Sequence, residues 1–351
     1  MAKKQTADSA DSLRQFKQDL KANTLATCYI FCGEESFLRE YWLSELTKKL
    51  ADGPAAEFNL HRFDAGSVSP QALLDAVEAM PMMAEKTMVR VDDLDLFKLP
   101  EREREQYRQI LEDLPDYVCL VFAYDTVEYK PNGQMKKLSE TLKKHAQVLR
   151  FEKQSERDLA VWIARHFRAA GKSISDKLCS YLIFLTGGGM TQLAGEIEKI
   201  ISYSSGPEIQ RSDIDAVVSP VLNAQTFDIS NAIAAGDFQL ALTKLQELSA
   251  MQAEPIAILG AVGSQLRRLY YAKTLAACGK GQQAFMELTG NKSSYAANLT
   301  FSAARNVSET FCERAVRLCL QADRDMKSSR DDPERILEVL VASLSQEARR
   351  G

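Results

Sequence analysis

Apolar positions in the first 150 residues follow two alternating rhythms. Thr27-Cys28-Tyr29-Ile30-Phe31-Cys32 is a short β-prone run stopped by Gly33, which reads as a buried strand. Similar runs stand at 58–63, with Gly66 as the following turn, and at 87–91, 118–123 and 148–151. Between them lie helical stripes. Leu13, Phe16 and Leu20 mark one behind a polar leader, and Phe37, Leu38, Tyr41, Trp42, Leu43, Leu46 and Leu50 mark a second. Ser69-Pro70 opens a third, because Ser suits the N-cap and Pro the first helical position. Leu73, Leu74, Val77 and Met80 form its apolar face and Pro81 ends it. A charged helix fills 101–114. Strands alternating with helices predict a parallel α/β sheet covered on both faces.

Beyond residue 151 the strand rhythm vanishes. One helical segment covers 158–218, punctuated by Gly171, Gly187-Gly188-Gly189 and Gly206-Pro207. Ser219-Pro220 marks a boundary, followed by helices at 227–235, 237–250, 255–278, 281–289 with 294–305, and 308–348 in two pieces broken near Pro333. No fixed period points to a solenoid. The expectation is three domains: an α/β domain over 1–150, a small helical domain over 151–220 and an all-α domain over 221–351.

Composition narrows the chemistry. The 44 Lys and Arg against 48 Asp and Glu give a formal charge of −4, so any nucleic-acid contact must come from a local patch. The longest apolar runs, such as 178–185, are far short of a membrane span, which predicts a soluble cytoplasmic protein. Seven cysteines without a Cys-x-x-Cys pair match a reducing compartment and are read as isolated buried thiols. His61, His145 and His166 form no metal-ligand spacing, and no metal or cofactor is expected.

An α/β domain followed by a small helical one raises the question of a nucleotide site. A phosphate loop needs Gly-x-x-x-x-Gly-Lys-Ser/Thr between strand and helix, where backbone N–H groups cradle phosphates and Lys neutralises them. Gly33 stands at the expected place, but the residues five, six and seven positions on are Leu38, Arg39 and Glu40. Glu34 and Glu35 would also oppose phosphate, whereas carboxylates at a helix N-terminus suit its macrodipole. Gly171-Lys172-Ser173 imitates the end of such a loop. The earlier glycine is missing there, so Gly171 reads as a helix cap and Lys172 as its solvated neighbour. The acidic stretch Asp92, Asp93, Asp95 reads as a solvated loop at a strand end.

Several motifs in order now matter together. Tyr29-Ile30-Phe31-Cys32-Gly33-Glu34-Glu35-Ser36-Phe37-Leu38 resembles the opening strand and degenerate phosphate loop of the delta subunits of the bacterial DNA polymerase III clamp loader. Met80-Pro81-Met82-Met83-Ala84-Glu85-Lys86, followed by Met88-Val89-Arg90-Val91, is similar to that family's clamp-contact segment. Gly188-Gly189-Met190-Thr191-Gln192-Leu193, Gln265-Leu266-Arg267-Arg268-Leu269 and Ala322-Asp323 extend the match over about 300 residues. The resemblance implies an AAA+-like α/β domain with a degenerate phosphate loop, a helical lid and an all-α collar. It implies a subunit that binds and opens the beta sliding clamp for loading onto primed DNA without hydrolysing ATP. No intrinsic activity is expected, since nucleotidyl transfer belongs to the DNA-directed DNA polymerase III holoenzyme. The implied partners are the clamp, the loader ATPase (gamma/tau) subunits, delta-prime and primer–template DNA, with no membrane. A delta-prime or ATPase-type loader subunit is the alternative. Against the ATPase stands the absent phosphate loop. Against both stands the lack of a Ser-Arg-Cys motif and of zinc-type cysteine spacing.

By this resemblance, Met82 and Met83 are the clamp-binding residues, projecting beyond the helix that Pro81 ends; without the resemblance the favoured reading is that both are core. Methionine, unbranched and polarizable, suits an apolar plug. DNA-contact candidates are Lys136 and Lys137, in a cluster with Lys130, Lys143 and Lys144, and Arg267 and Arg268 further on. The other reading of the lysines is a solvated helix face with Leu138 and Leu142 inward, and that of the arginines is pairing with acidic groups of neighbouring subunits.

Overall fold

The structure, a computed structural model, describes residues 2–51, 55–290, 293–328 and 331–349, with side chains from Asp11 onward. Two compact units are present, Met1–Gln154 and Ser155–Gly351.

The first unit is built on a five-stranded parallel sheet: β1 (Cys28–Cys32), β2 (Leu60–Asp64), β3 (Thr87–Asp92), β4 (Val118–Ala123) and β5 (Gln147–Arg150). The spatial order is β2-β3-β4-β1-β5. Five helices accompany it: α1 (Ala2–Ala22), α2 (Ser36–Leu50), α3 (Pro70–Glu78), α4 (Glu101–Glu112) and α5 (Lys136–His145). Register follows burial. Ile30 stands opposite Phe122 on one side and Val148 on the other, and every residue of β1 and β4 is buried. A strand covered on both faces is apolar throughout, which is why these two runs are legible without alternation.

One face of the sheet packs α3, α4 and α5 through Leu73, Val77, Tyr107, Leu111, Leu138 and Leu142. The other packs α1 and α2 through Phe16, Leu43 and Leu46. Phe16 makes edge contacts with Tyr29, Phe31 and Trp42 at 5.3–6.0 Å between ring centroids. The expected polar leader is part of α1, which spans Ala2–Ala22. Helix α3 has the expected start, with the Ser69 hydroxyl accepting from the Ala72 N–H. It stops at Glu78, so Met80 lies outside the helix and is exposed instead of forming its apolar face. The residue before a proline is pushed out of the helical region, and here the chain leaves it one residue earlier still, at Ala79.

The second unit is all helical: α6 (Glu156–Ala169), α7 (Asp176–Thr186), α8 (Met190–Tyr203), α9 (Arg211–Val217), α10 (Leu222–Ala234), α11 (Phe238–Ala250), α12 (Pro255–Ala277), α13 (Gln282–Thr289), α14 (Ser294–Ala304), α15 (Glu309–Ser328) and α16 (Pro333–Ala348). Helices α10 to α16 share one core that includes Leu245, Leu259, Leu266, Phe285, Phe311 and Leu340. Contacts also cross residue 220 inside this unit: Phe184 of α7 lies 5.3 Å from Phe227 of α10.

Three further sequence expectations need correction. Gly171 does adopt a left-handed conformation just beyond α6, but Lys172 is not merely solvated. Its ammonium donates to the Ser204 and Gly206 carbonyls at 2.7 and 3.0 Å, tying the end of α8 to the α6–α7 loop. Six cysteines are buried, whereas Cys278, just past the end of α12, is exposed. Asp93 is not a solvated loop residue, as set out next.

Candidate interaction tip and the closed phosphate-loop position

The β1–α2 junction is where a phosphate loop would stand. Instead of arching free, its backbone is zipped to the chain leaving β5. The Phe151 N–H donates to the Cys32 carbonyl at 2.7 Å, and the Glu35 N–H donates to the Phe151 carbonyl at 2.9 Å. An amide at the helix start, of the kind that cradles phosphate, is therefore already bonded. Gly33 adopts φ +117°, and a Cβ there would lie 2.3 Å from the Phe151 carbonyl oxygen, so only glycine fits.

Arg39, at the position a phosphate loop gives to lysine, is 1% exposed and folds back into the junction. It donates to the Gly33 carbonyl at 3.0 Å and to the Asp125 carboxylate. Glu35 occupies the buried N-cap position of α2; burial raises its pKa, partly offset by the Phe37 N–H, Lys153 and Arg39.

The acids after β3 are equally committed. Asp92 pairs with Arg62 and Arg90 at 2.9 and 2.6 Å. Asp93, at φ +57°, accepts from the Asp125, Thr126 and Val127 N–H groups and from the Thr126 hydroxyl, at 2.7–3.2 Å. Partial burial alone would raise its pKa, but those hydrogen bonds outweigh it and hold the carboxyl below the usual range. Asp93 thus ties the end of β3 to the chain leaving β4.

The loop between α3 and β3 carries Met82 and Met83. Its base is closed by the Thr87 hydroxyl donating to the Ala79 carbonyl and the Tyr117 hydroxyl donating to the Glu78 carbonyl, both at 3.3 Å. The Asn23 amide bonds the Glu85 carboxylate farther along. Met82 is 49% exposed and Met83 91%, with Met83 in the left-handed region at φ +53°. Neither is core. Asn59, the last residue of the short 3-10 turn Ala56–Asn59, bonds both backbone groups of Met82. Sequence reasoning missed Asn59, which lies 23 positions away and carries no local signal; Arg39 was signalled only by standing six residues after Gly33.

The basic candidates fall in different units. Lys136, Lys137, Lys143 and Lys144 are all exposed on α5, opposite Leu138 and Leu142, which are buried. On α12, Arg267 is exposed and Arg268 half-buried, and burial pulls the Arg268 pKa down. Among the described residues Arg268 has no acidic partner.

The parallel sheet, with strands ordered 5-1-4-3-2 and a closed loop after β1, defines an AAA+-like protein with a degenerate phosphate-loop position. Residues 29–152 match a family model described as DNA polymerase III, delta subunit. Residues 223–344 match one described as DNA polymerase III delta subunit, C-terminal domain. The chain belongs to the DNA polymerase III delta subunit family. It is 24% identical over 335 residues to the DNA polymerase III subunit delta of Bacillus subtilis, covering 93% of this chain and 95% of that one. It is also 24% identical over 280 residues to a probable DNA polymerase III subunit delta of Aquifex aeolicus, covering 76% of each. The solved clamp loader delta protein of Bacillus subtilis shares the fold, with a TM-score of 0.58 at 21% identity, covering 95% of this chain and 99% of that one. No described helix is long and apolar enough to cross a membrane.

Proposed function

We propose that this clamp-loader subunit binds the beta sliding clamp through Met82 and Met83 and favours its opening, without hydrolysing ATP. The observation carrying this reading is the exposure of two bulky apolar side chains on a loop tied down at its base. An apolar plug entering a pocket can dominate an interface, at ~2 kcal/mol or more per residue. Tighter binding to an open or strained ring than to a closed one shifts the ring toward opening with no chemistry in this chain. The bonded junction around Gly33, Arg39 and Phe151 supports the absence of nucleotide hydrolysis.

In this reading residues 1–150 carry the contact, 151–220 act as a lid and 221–351 as a collar that joins the loader ATPase subunits and delta-prime, in the cytoplasm. Lys136, Lys137, Arg267 and Arg268 border primer–template DNA in the assembled complex, each contacted phosphate adding to the salt dependence. The test is clamp binding by Met82→Ser with Met83→Ser. A drop of at least about a hundredfold is expected from two hot-spot losses; unchanged binding by the folded double variant sinks the reading.

A further inference from the structure

We propose that the clamp-facing surface has two segments: Phe58, on the turn Ala56–Asn59, contacts the clamp beside Met82 and Met83, and Asn59 locks the two segments together. This rests on the clamp-contact reading above and extends it to residues outside the α3–β3 loop.

Asn59 is 2% exposed, and a buried amide needs partners for both its ends. Its Oδ1 accepts the Met82 N–H at 2.7 Å, and its Nδ2 donates to the Met82 carbonyl at 2.7 Å and to the Ala55 carbonyl at 3.1 Å. The side chain thus acts as one rung of a β-ladder, satisfying both backbone groups of Met82 at once. A carboxylate could accept but not donate, and an apolar side chain could do neither.

With Met82 fixed, the next residue adopts the left-handed conformation that strains any L-residue with a Cβ. Such a conformation persists where the surroundings over-determine it, and it occurs preferentially at ligand clamps. Around this latch the large apolar side chains face outward: Phe58 is 64% exposed and Met80 79%, with Met82 and Met83 beyond them. A clustered apolar surface marks an interaction site, and an aromatic ring beside two methionines is suited to an apolar pocket. The occupant is the clamp, because Phe58 is the chain neighbour of Asn59, whose side chain holds Met82 of the proposed contact. A tip locked before binding also avoids ordering the loop during association.

The experiment measures binding of the full chain to purified clamp on a sensor surface, with thermal unfolding of each variant as the folding control. Phe58→Ser is expected to weaken binding about tenfold, mainly through faster dissociation, as for loss of a buried interface anchor. Asn59→Ala is expected to slow association and to abolish the hydrogen-exchange protection of the Met82 N–H, with Asn59→Asp intermediate because it keeps the acceptor. Met251→Ser, at an exposed methionine of the other unit, serves as the control and should bind as the wild type does. Phe58→Ser binding within twofold of wild type, while the Met82/Met83 double variant fails, overturns the two-segment surface and leaves the clamp reading intact. Full binding by the double variant overturns the clamp reading itself. Self-association of the wild type that Phe58→Ser abolishes, with clamp affinity unchanged, assigns the patch to a second copy and overturns the proposal.

Discussion

The Arg39 guanidinium donates to the Gly33 carbonyl at 3.0 Å from the sequence position where a phosphate loop places its lysine. That position points into the protein, and its charge is answered by Asp125 rather than by a ligand. Arg39→Ala is expected to destabilise the fold by about 2–3 kcal/mol, through lost packing of a buried stem and lost hydrogen bonds. Asp125 is largely exposed, so its released carboxylate is rehydrated and the loss stays below that of a fully buried pair. Neither wild type nor variant should gain thermal stability from Mg-ATP, because Leu38, Glu40 and the bonded Glu35 N–H remain unsuited to phosphate. A nucleotide-dependent rise in melting temperature for the wild type would falsify the closed-site reading.

Gly33→Ala tests the same junction through the backbone. The added Cβ would meet the Phe151 carbonyl at 2.3 Å, and that strand end cannot withdraw without breaking its bonds to Cys32 and Glu35. A loss of at least about 3 kcal/mol, or failure to fold, is expected. Gly133→Ala meets nothing within 4 Å and should fall within about 0.5 kcal/mol of wild type in a urea titration.

Asp93 sets an acid limit on stability. Its folded-state pKa lies below its unfolded one, so its contribution is complete above the ordinary carboxylate range, about pH 4. It is lost as pH falls through the lowered value. Asp93→Asn keeps a side chain that tolerates the left-handed turn and should flatten the stability profile below about pH 4. Asp93→Ala loses turn and acceptor together, about 2–3 kcal/mol at pH 7. Urea unfolding from pH 3 to pH 7 reads both, and an unchanged acid slope in Asp93→Asn would show that the carboxylate is not the cause.

Local pattern and long-range contact explain what could be read from the sequence. β1 and β4 are legible because both faces are covered, which makes Cys28 to Cys32 and Val118 to Ala123 continuously apolar. α3 is legible at its start, where Ser69 and Pro70 act within one turn. Its end is not, since Glu78 and Ala79 bond Tyr117 and Thr87 from other elements. Met82 and Met83 were indicated by family resemblance, and their exposure is a structural finding. The residues that hold the tip and close the junction act over longer spans: Asn59 reaches Met82 across 23 positions, and Arg39 reaches Asp125 across 86. Asp93 looked solvated for the same reason, its donors lying 32 to 34 residues away.

The cysteines offer a direct reading of burial. Burial pushes the Cys119 thiol up to about 12 and those of Cys32, Cys179, Cys312 and Cys319 to about 11, and it raises Cys28 further. Since the thiolate is the reactive form, these six should resist alkylation in the native state, whereas Cys278 is exposed. One equivalent of label is expected at pH 8 without denaturant and seven with it. Native labelling that persists in Cys278→Ser would contradict this pattern.

Arg268 separates stability from function. It is half-buried on α12 with no acidic partner among the described residues, and burial disfavours its charged form. Replacing an unpaired, partly desolvated charge with an apolar side chain of similar reach is often neutral or stabilising. Arg268→Leu should therefore leave the unfolding free energy of the isolated subunit within about 1 kcal/mol of wild type, or raise it. If the guanidinium is retained to face DNA phosphate, a loader assembled with Arg268→Leu binds primed DNA more weakly. The slope of log affinity against log salt then becomes shallower by about one. An unchanged slope with unimpaired assembly would remove Arg268 from the DNA surface, and a failure to assemble would place it at a contact with a neighbouring subunit.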